Sequence, residues 1–265
     1  GERLWDTNSF IQGTFTNRWT PKFRSLVNAK YAADYTHYEN QDAKLIQTKN
    51  TYKQKELYAS CANLYNIMEN WEVSFSYDFQ WNTLDATFYM PTESDGTFPY
   101  PTRYTQMAAL ATAFEWGRFK GQASVLGYFV HEKVKRFEAR PDKAVATPAF
   151  FLSYKPFRRQ DLSLRAFYKR MFRMPTFNDL YYTDMGTAFL KPEYAEQFNV
   201  GLRYTKDFRN IPVLRAIDAS VDAYYNHITD KIIAYPKGQQ FRWTMLNLGE
   251  VDIKGVDVAL NSVWA

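Results

Sequence analysis

The sequence predicts an all-β protein, and within that class an antiparallel transmembrane β-barrel. Three observations lead to this prediction: apolar and polar residues alternate with a period of two, the alternating segments are long, and the connections between them alternate between short and long. A helical membrane protein is excluded, because no segment approaches the run of about 18 apolar residues that a membrane-spanning helix needs.

The clearest predicted strand spans residues 71–82. One of its faces is apolar throughout and consists of Trp71, Val73, Phe75, Tyr77, Phe79 and Trp81. Polar residues fill every position between them, whereas a helix would spread these side chains around its circumference. Residues 23–36 and 217–227 repeat the pattern. Residues 57–67 fit either a strand or a helix, whose apolar stripe would contain Leu57, Cys61, Leu64 and Met68.

Short and long connections between the predicted strands alternate along the chain. Short connections are expected at 17–22, 68–70, 116–118, 155–161 and 206–212. Long ones are expected at 39–53, 86–102, 132–143, 173–194 and 234–240. This spacing leaves roughly eleven strands of about 10 to 15 residues, longer than the five or six typical of soluble sheets. Long strands with short turns at one end and long loops at the other are typical of a membrane barrel.

The aromatic content fits this interpretation. Aromatic residues make up 18% of the chain, yet the mean hydropathy is −0.50. Alternation accounts for both values, because each apolar residue that faces lipid is followed by a polar residue that faces the lumen. Tyr and Trp are expected at the two membrane interfaces. The alternative is a soluble, aromatic-rich β-sandwich that binds carbohydrate, since sandwich strands also alternate.

Composition and motifs argue against an enzyme, a metalloprotein or a nucleic-acid-binding protein. The net charge of +5 is mild, and the basic residues are scattered rather than gathered in a stripe. A single cysteine excludes an internal disulfide and a cysteine-based zinc site. His37, His131 and His227 lie far apart and have no partner at ligand spacing. No nucleophile elbow or phosphate loop occurs, so we predict no catalytic residues, no metal site and no cofactor.

The two ends of the sequence predict a fragment of a longer protein. The start, residues 1–5, has no basic segment followed by an apolar run, so it does not resemble a signal peptide. The last residues, 258–265, stop inside an alternating pattern without a turn. We therefore expect both ends to continue into a longer chain.

Four segments carry a resemblance to a known family. Residues 168–182 read YKRMFRMPTFNDLYY, which is similar to the FRxPTFxDLYY segment of TonB-dependent outer-membrane receptors. The family's LxPExxxxxExGLxY stretch resembles residues 190–204, and its YxNxIxDxI strand resembles residues 225–232. Residues 247–257 are similar to its NxG…GxE strand, with Asp257 in place of the usual Glu. The matches follow family order and cover about residues 167–257.

The resemblance implies a fold, a location and a function. Family members are 22-stranded barrels with an N-terminal plug domain, so residues 1–265 would be a barrel segment with about half the strands and no plug. The protein would lie in the outer membrane of a Gram-negative bacterium, in contact with its lipid. It would bind a scarce small-molecule nutrient or metal chelate, such as an iron-siderophore complex or cobalamin. Import would use energy passed by the TonB complex through the missing plug.

The resemblance also suggests site residues. Ligand contact is expected on the extracellular loop after residue 172, where an aromatic ring stacks readily on a cargo molecule. The candidate ligand-binding residues are Arg173, Asn178, Tyr181 and Tyr182. Structural roles in the same motifs are expected for Phe172, Pro175, Phe177, Glu193, Glu196, Asn226, Asn247 and Gly255. Among these, Arg173 is a candidate to pair with Glu193 or Glu196, and Gly255 to permit bending of a strand.

Overall fold

The structure is a computed structural model that describes residues 1–41, 47–89, 96–181, 188–208, 213–237 and 242–264. Within these ranges the chain forms eleven strands and a five-residue helix. The strands are β1 Glu2–Arg18, β2 Phe23–Asn40, β3 Thr48–Met68, β4 Trp71–Phe88, β5 Pro101–Trp116, β6 Phe119–Val134, β7 Lys143–Tyr154, β8 Asp161–Arg173, β9 Glu193–Asp207, β10 Leu214–Lys237 and β11 Arg242–Trp264. The helix α1 spans Phe177–Tyr181, between β8 and β9.

The strands form one antiparallel sheet in chain order, β1 to β11, so each strand is hydrogen-bonded to its sequence neighbours. The predicted fold class and the expected number of strands are confirmed. Most of the strands are longer than the expected 10 to 15 residues, and their lengths run from 12 residues in β7 to 24 in β10. Among the described residues, no helix is long and apolar enough to cross a lipid bilayer.

Two details of the sequence-based expectation are corrected. Residues 57–67 lie inside β3, so the helical alternative for this segment is wrong. Cross-strand pairing explains the outcome, because Cys61 and Leu57 of β3 pair with Val27 and Tyr31 of the neighbouring strand β2. The last expected long connection, near 234–240, was placed too early, since β10 continues to Lys237 and β11 begins at Arg242.

Contacts divide the chain into two compact units. The first unit comprises residues 1–65, 74–109 and 126–146. Its register places Phe15 beside Val27, and Ile11 beside Tyr31. These apolar side chains lie on one face of the sheet and are all at least 38% exposed, as expected for a surface that contacts lipid.

The second unit comprises residues 66–73, 110–125 and 147–265. An apolar row crosses four of its strands, where Leu164 pairs with Leu202, Leu202 with Val221, and Val221 with Val258. All four side chains are exposed. The adjacent position on each strand forms a row on the opposite face, Arg165, Gly201, Asp222 and Asp257. Alternation thus gives one apolar face and one polar face.

Buried side chains concentrate at the strand ends that carry the long connections. In the first unit, Tyr52 and Phe98 are buried with their ring centroids 6.3 Å apart. In the second unit, Leu180, Leu190 and Ile232 form a buried cluster. Among the described residues, the middle of the sheet therefore has little core of its own.

Candidate functional site

The segment that carries the strongest family resemblance folds into a compact structure, which we call the loop cluster. It consists of residues 172–181 and 188–193, together with the adjoining parts of β10 and β11 at 230–232 and 245–247. Thr176 precedes helix α1 and forms a reciprocal cap with Asp179. The Asp179 carboxylate accepts a hydrogen bond from the Thr176 N–H at 2.9 Å, and the Asp179 N–H donates to the Thr176 hydroxyl at 3.2 Å. This arrangement satisfies two backbone donors at the start of the helix.

Arg173 connects the cap to the sheet. Its guanidinium donates to the Asp179 carboxylate at 3.1 Å and lies 3.7 Å from the Glu193 carboxylate. Asp179 is buried, at 8% exposure, whereas the Arg173 side chain is 47% exposed. Since one guanidinium serves two carboxylates, the charge of Arg173 is largely compensated inside the loop cluster.

Apolar packing against β10 stabilises the loop cluster. Leu180 and Leu190 are each 2% exposed and pack with Ile232 of β10. Tyr181 and Met245 pack against the same group. Leu180 and Leu190, which come from separate parts of the long connection, therefore pack against the β10–β11 hairpin. Burial of each of these two side chains stabilises the cluster by about 1.5–3 kcal/mol.

Polar side chains tie the cluster to the hairpin. The Asn247 side chain accepts from the Lys191 N–H at 2.8 Å, and its amide donates to the backbone oxygens of Lys191 at 3.0 Å and Asp230 at 2.7 Å. The Glu193 carboxylate accepts from the Ile232 N–H at 3.0 Å. One amide and one carboxylate therefore satisfy backbone groups that sheet pairing leaves open.

The predicted ligand-binding residues occupy different environments. Asn178 is exposed on helix α1, Tyr181 is half-buried against the apolar cluster, and Arg173 is engaged by two carboxylates. Tyr182 lies outside the described residues. Ligand contact by these residues stays a prediction.

The predicted structural residues fall into two groups. Those in the loop cluster are Phe172, Pro175, Phe177, Glu193 and Asn247, and all three of the apolar ones are buried. The others lie in the sheet: Glu196 accepts from the Tyr168 hydroxyl at 3.0 Å, and Asn226 pairs with Gln197 and Ile253 inside β10. Gly255 lies directly opposite Tyr224, whose ring occupies the space that a β-carbon would need.

The polar face of the second unit carries a series of ion pairs. Arg165 donates to both oxygens of Asp222, at 3.1 and 2.9 Å, and passes over Gly201 to reach them. Arg203 makes a bidentate pair with Asp218 further along the same strands. Paired charges on this face are suited to the wall of a hydrated lumen, because these side chains are partly exposed and each of the two guanidinium groups faces a carboxylate.

Sequence reasoning missed several residues that organise the loop cluster. Thr176 and Asp179 lie in the motif of residues 168–182, and their spacing, Thr-x-x-Asp, is the sequence signal of a capping box. Leu180, Leu190 and Ile232 gave no comparable signal, because their contact depends on how the long connection folds back over β10.

Comparison with known proteins supports the assignment of the fold. A model of the family described as "TonB dependent receptor-like, beta-barrel" matches residues 2–265. The vitamin B12 transporter BtuB of Vibrio vulnificus (strain YJ016) is 34% identical over 87 residues, which are 33% of this chain and 13% of that protein.

Two solved structures are similar over almost the whole chain. The copper transporter OprC matches with a TM-score of 0.72 at 14% identity, over 96% of this chain and 43% of OprC. The FrpB iron transporter from Neisseria meningitidis (F3-3 variant) matches with a TM-score of 0.67 at 14% identity, over 97% of this chain and 41% of FrpB. This chain therefore spans less than half the length of the receptors whose fold it shares. The match to the family model across nearly every residue establishes that the chain belongs to the TonB-dependent receptor-like β-barrel family.

Proposed function

We propose that the chain is the barrel segment of an outer-membrane receptor that binds a scarce nutrient and imports it with energy supplied through TonB. The observation that carries this proposal is the match of the family model to residues 2–265. The two-faced sheet supports it independently, because an exposed apolar row opposite paired charges suits a wall between lipid and a hydrated lumen. The receptor is a transporter in this proposal, and it catalyses no reaction.

The cargo that fits best is a metal chelate or a corrinoid. The relatives support this class, since they are named as transporters of vitamin B12, copper and iron. In the loop cluster, Asn178 and the half-buried Tyr181 offer a hydrogen-bonding amide and an aromatic ring to such a molecule. Arg173 contributes to binding indirectly in this proposal, because its carboxylate partners hold the helix that presents Asn178.

The partners follow from the same proposal. They are the nutrient itself, outer-membrane lipid around the apolar face, and the TonB complex, which acts through a plug domain. Gram-negative outer membrane is the location that the family membership favours. The alternative, a soluble carbohydrate-binding β-sandwich, is not favoured, because a sandwich packs two sheets face to face and the strands here form one sheet of eleven.

The proposal is tested by deleting the parent gene and measuring uptake. Cells are supplied with radiolabelled cyanocobalamin, a panel of ferric siderophores, or copper(II), each at a limiting concentration. We expect uptake of one of these to fall in the deletion strain and to return with the intact gene, but not when tonB is also deleted. Unchanged uptake of every compound would rule out a metal-chelate or corrinoid cargo.

A binding measurement separates the loop cluster from the rest of the receptor. In the purified full-length receptor, Asn178→Ala is expected to weaken cargo binding about three- to tenfold, the loss of one hydrogen bond. The matched control is Asn8→Ala, an exposed asparagine on β1. Equal affinities of the two variants and the wild type would remove Asn178 from the ligand contacts.

A further inference from the structure

A row of charged residues crosses four strands of the second unit on the same face as its apolar row. It takes one residue from each of β8, β9, β10 and β11, which pair in this order: Arg170, Glu196, His227 and Asp252. Each of them lies six positions from the apolar row on its own strand, and an even spacing keeps both rows on one face. His227 therefore stands between two carboxylates.

In the proposed barrel wall, the charged row lies beyond the part of the sheet that crosses the hydrocarbon. A membrane-spanning β-strand needs about 9 to 11 residues. Tyr225 is already the twelfth residue of β10 counted from the short-turn end, and His227 follows it on the same face. The ring of Tyr225 stacks with that of Phe198, as expected of aromatic residues at a membrane interface. His227 is thus open to the aqueous phase.

Asp252 of β11 holds the imidazole of His227 in place. The Nδ1 atom of His227 lies 2.8 Å from an oxygen of the Asp252 carboxylate, which also accepts from the Tyr225 hydroxyl at 2.9 Å. This contact raises the pKa of the imidazole above its ordinary value, because the carboxylate favours the protonated form. The His227 side chain is 31% exposed, so it can exchange protons with water.

Carboxylates face His227 from both neighbouring strands. Glu196 lies opposite it on β9, while Asp252 and Glu250 approach it from β11. Glu196 also accepts a hydrogen bond from the Tyr168 hydroxyl at 3.0 Å, which fixes its position. A positive charge on His227 is therefore attracted to β9 and β11 at the same time.

Two cations on the same face lie over aromatic rings. The Lys254 ammonium is 5.1 Å from the centre of the Tyr225 ring, and the Arg170 guanidinium is 5.5 Å from the centre of the Tyr194 ring. These two cations and the three carboxylates around His227 give a net charge of −1. One proton on His227 cancels that charge and joins the three strands electrostatically.

The same three strands carry the contacts that hold the loop cluster. Glu193 of β9, Ile232 of β10 and Asn247 of β11 lie three to five residues beyond the charged row. The Glu193 carboxylate accepts from the Ile232 N–H at 3.0 Å, and the Asn247 side chain accepts from the Lys191 N–H at 2.8 Å. Both contacts require that β9, β10 and β11 stay together at the level of the charged row.

We propose that His227 is a pH-sensitive switch, whose protonation joins Glu196 to Asp252 across three strands and so keeps the loop cluster closed. The folded sheet binds the proton more tightly than the opened one. The stabilisation is therefore complete below the ordinary pKa of 6.5 and is lost as the pH rises through the raised pKa. The proposal goes beyond the proposed function, since it concerns the opening of the loop cluster and not the identity of the cargo.

Hydrogen–deuterium exchange of the purified full-length receptor, from about pH 5.5 to about pH 8.5, tests the switch. The readout is the protection of the Lys191 and Ile232 amides, which donate hydrogen bonds within the loop cluster, corrected for the pH dependence of intrinsic exchange. The variants are His227→Gln, which carries no charge, and His227→Lys, which keeps one throughout. The matched control is His131→Gln in the first unit, because His131 also lies 2.7 Å from a carboxylate, that of Asp142.

We expect the protection of both amides in the wild type to fall about two- to fivefold as the pH rises, the effect of one exposed ion pair. Protection should stay low at every pH in His227→Gln and high in His227→Lys, and His131→Gln should follow the wild type. Wild-type protection that is independent of pH would overturn the proposal. So would a wild-type profile in His227→Gln, or the loss of that profile in His131→Gln. Cargo uptake does not enter this measurement, so failure of the proposed function remains distinguishable from failure of the switch.

Discussion

The cap at the start of helix α1 makes a quantitative prediction for the variant Asp179→Ala. The substitution removes the carboxylate that accepts from the Thr176 N–H at 2.9 Å and from Arg173 at 3.1 Å. Loss of a cap costs about 0.5–2 kcal/mol. The Arg173 pair adds less than about 1 kcal/mol, because that side chain is half exposed and therefore screened. Together these losses lower the free energy of opening the loop cluster by about 2 kcal/mol.

Hydrogen–deuterium exchange of the full-length receptor measures that opening directly. Because about 1.4 kcal/mol corresponds to a tenfold change, the amides of residues 176–180 should exchange about 30-fold faster in Asp179→Ala. Asp179→Asn should fall between this variant and the wild type, since the amide oxygen still accepts from Thr176 but carries no charge for Arg173. The matched control is Asn178→Ala, the exposed neighbour in the same helix.

Two outcomes would contradict this reasoning. Exchange that stays within threefold of the wild type in Asp179→Ala would mean that apolar packing alone holds the helix. An equal acceleration in Asn178→Ala would mean that any substitution in the segment loosens it, so the effect would not belong to the cap.

Further predictions concern Gly255 in β11 and Glu39 near the end of β2. Gly255→Ala should lower the free energy of unfolding by about 1–3 kcal/mol, because the added β-carbon would displace the Tyr224 ring. The matched control is Gly249→Ala, which should leave the free energy of unfolding unchanged because a β-carbon there meets no atom within 4 Å. The measurement is the temperature at which the receptor loses its folded, heat-modifiable migration on a gel. Lys49, which donates a hydrogen bond to Glu39 beyond the apolar rows, holds the pKa of that carboxyl below its ordinary value. Glu39→Gln should therefore lower thermal stability at neutral pH, and the difference from wild type should vanish as the pH falls through the lowered pKa.

The strands are the part of the fold that the sequence predicts well. The alternation in residues 71–82 lies wholly within β4, because a sheet with one apolar and one polar face requires that period. Residues 57–67 were ambiguous, since their apolar residues also fit a helical stripe, and pairing with β2 decides the outcome. The end of β10 was placed too early for a related reason, because its last residues pair with β11 beyond the point where alternation is clear.

The loop cluster is the part that the sequence predicts poorly. Family resemblance identified the segment and most of its residues, and the contact of Arg173 with Glu193 was among the expected pairs. What could not be predicted is the burial of Leu190 against Ile232, which are 42 positions apart. Such a contact depends on the path of the whole connection, whereas the cap of Asp179 on Thr176 is local and follows from spacing.

The two faces of the sheet constrain its register unequally. On the apolar face, a shift of two residues replaces one aliphatic side chain by another, so lipid contact fixes only which face is outward. On the polar face, Asp222 and Tyr224 each lie directly over a glycine, Gly201 and Gly255 respectively. A two-residue shift would place a bulkier residue under either side chain, and it would separate Asp222 from Arg165. The glycines of the polar face, rather than the apolar rows, therefore specify how β8 to β11 pair.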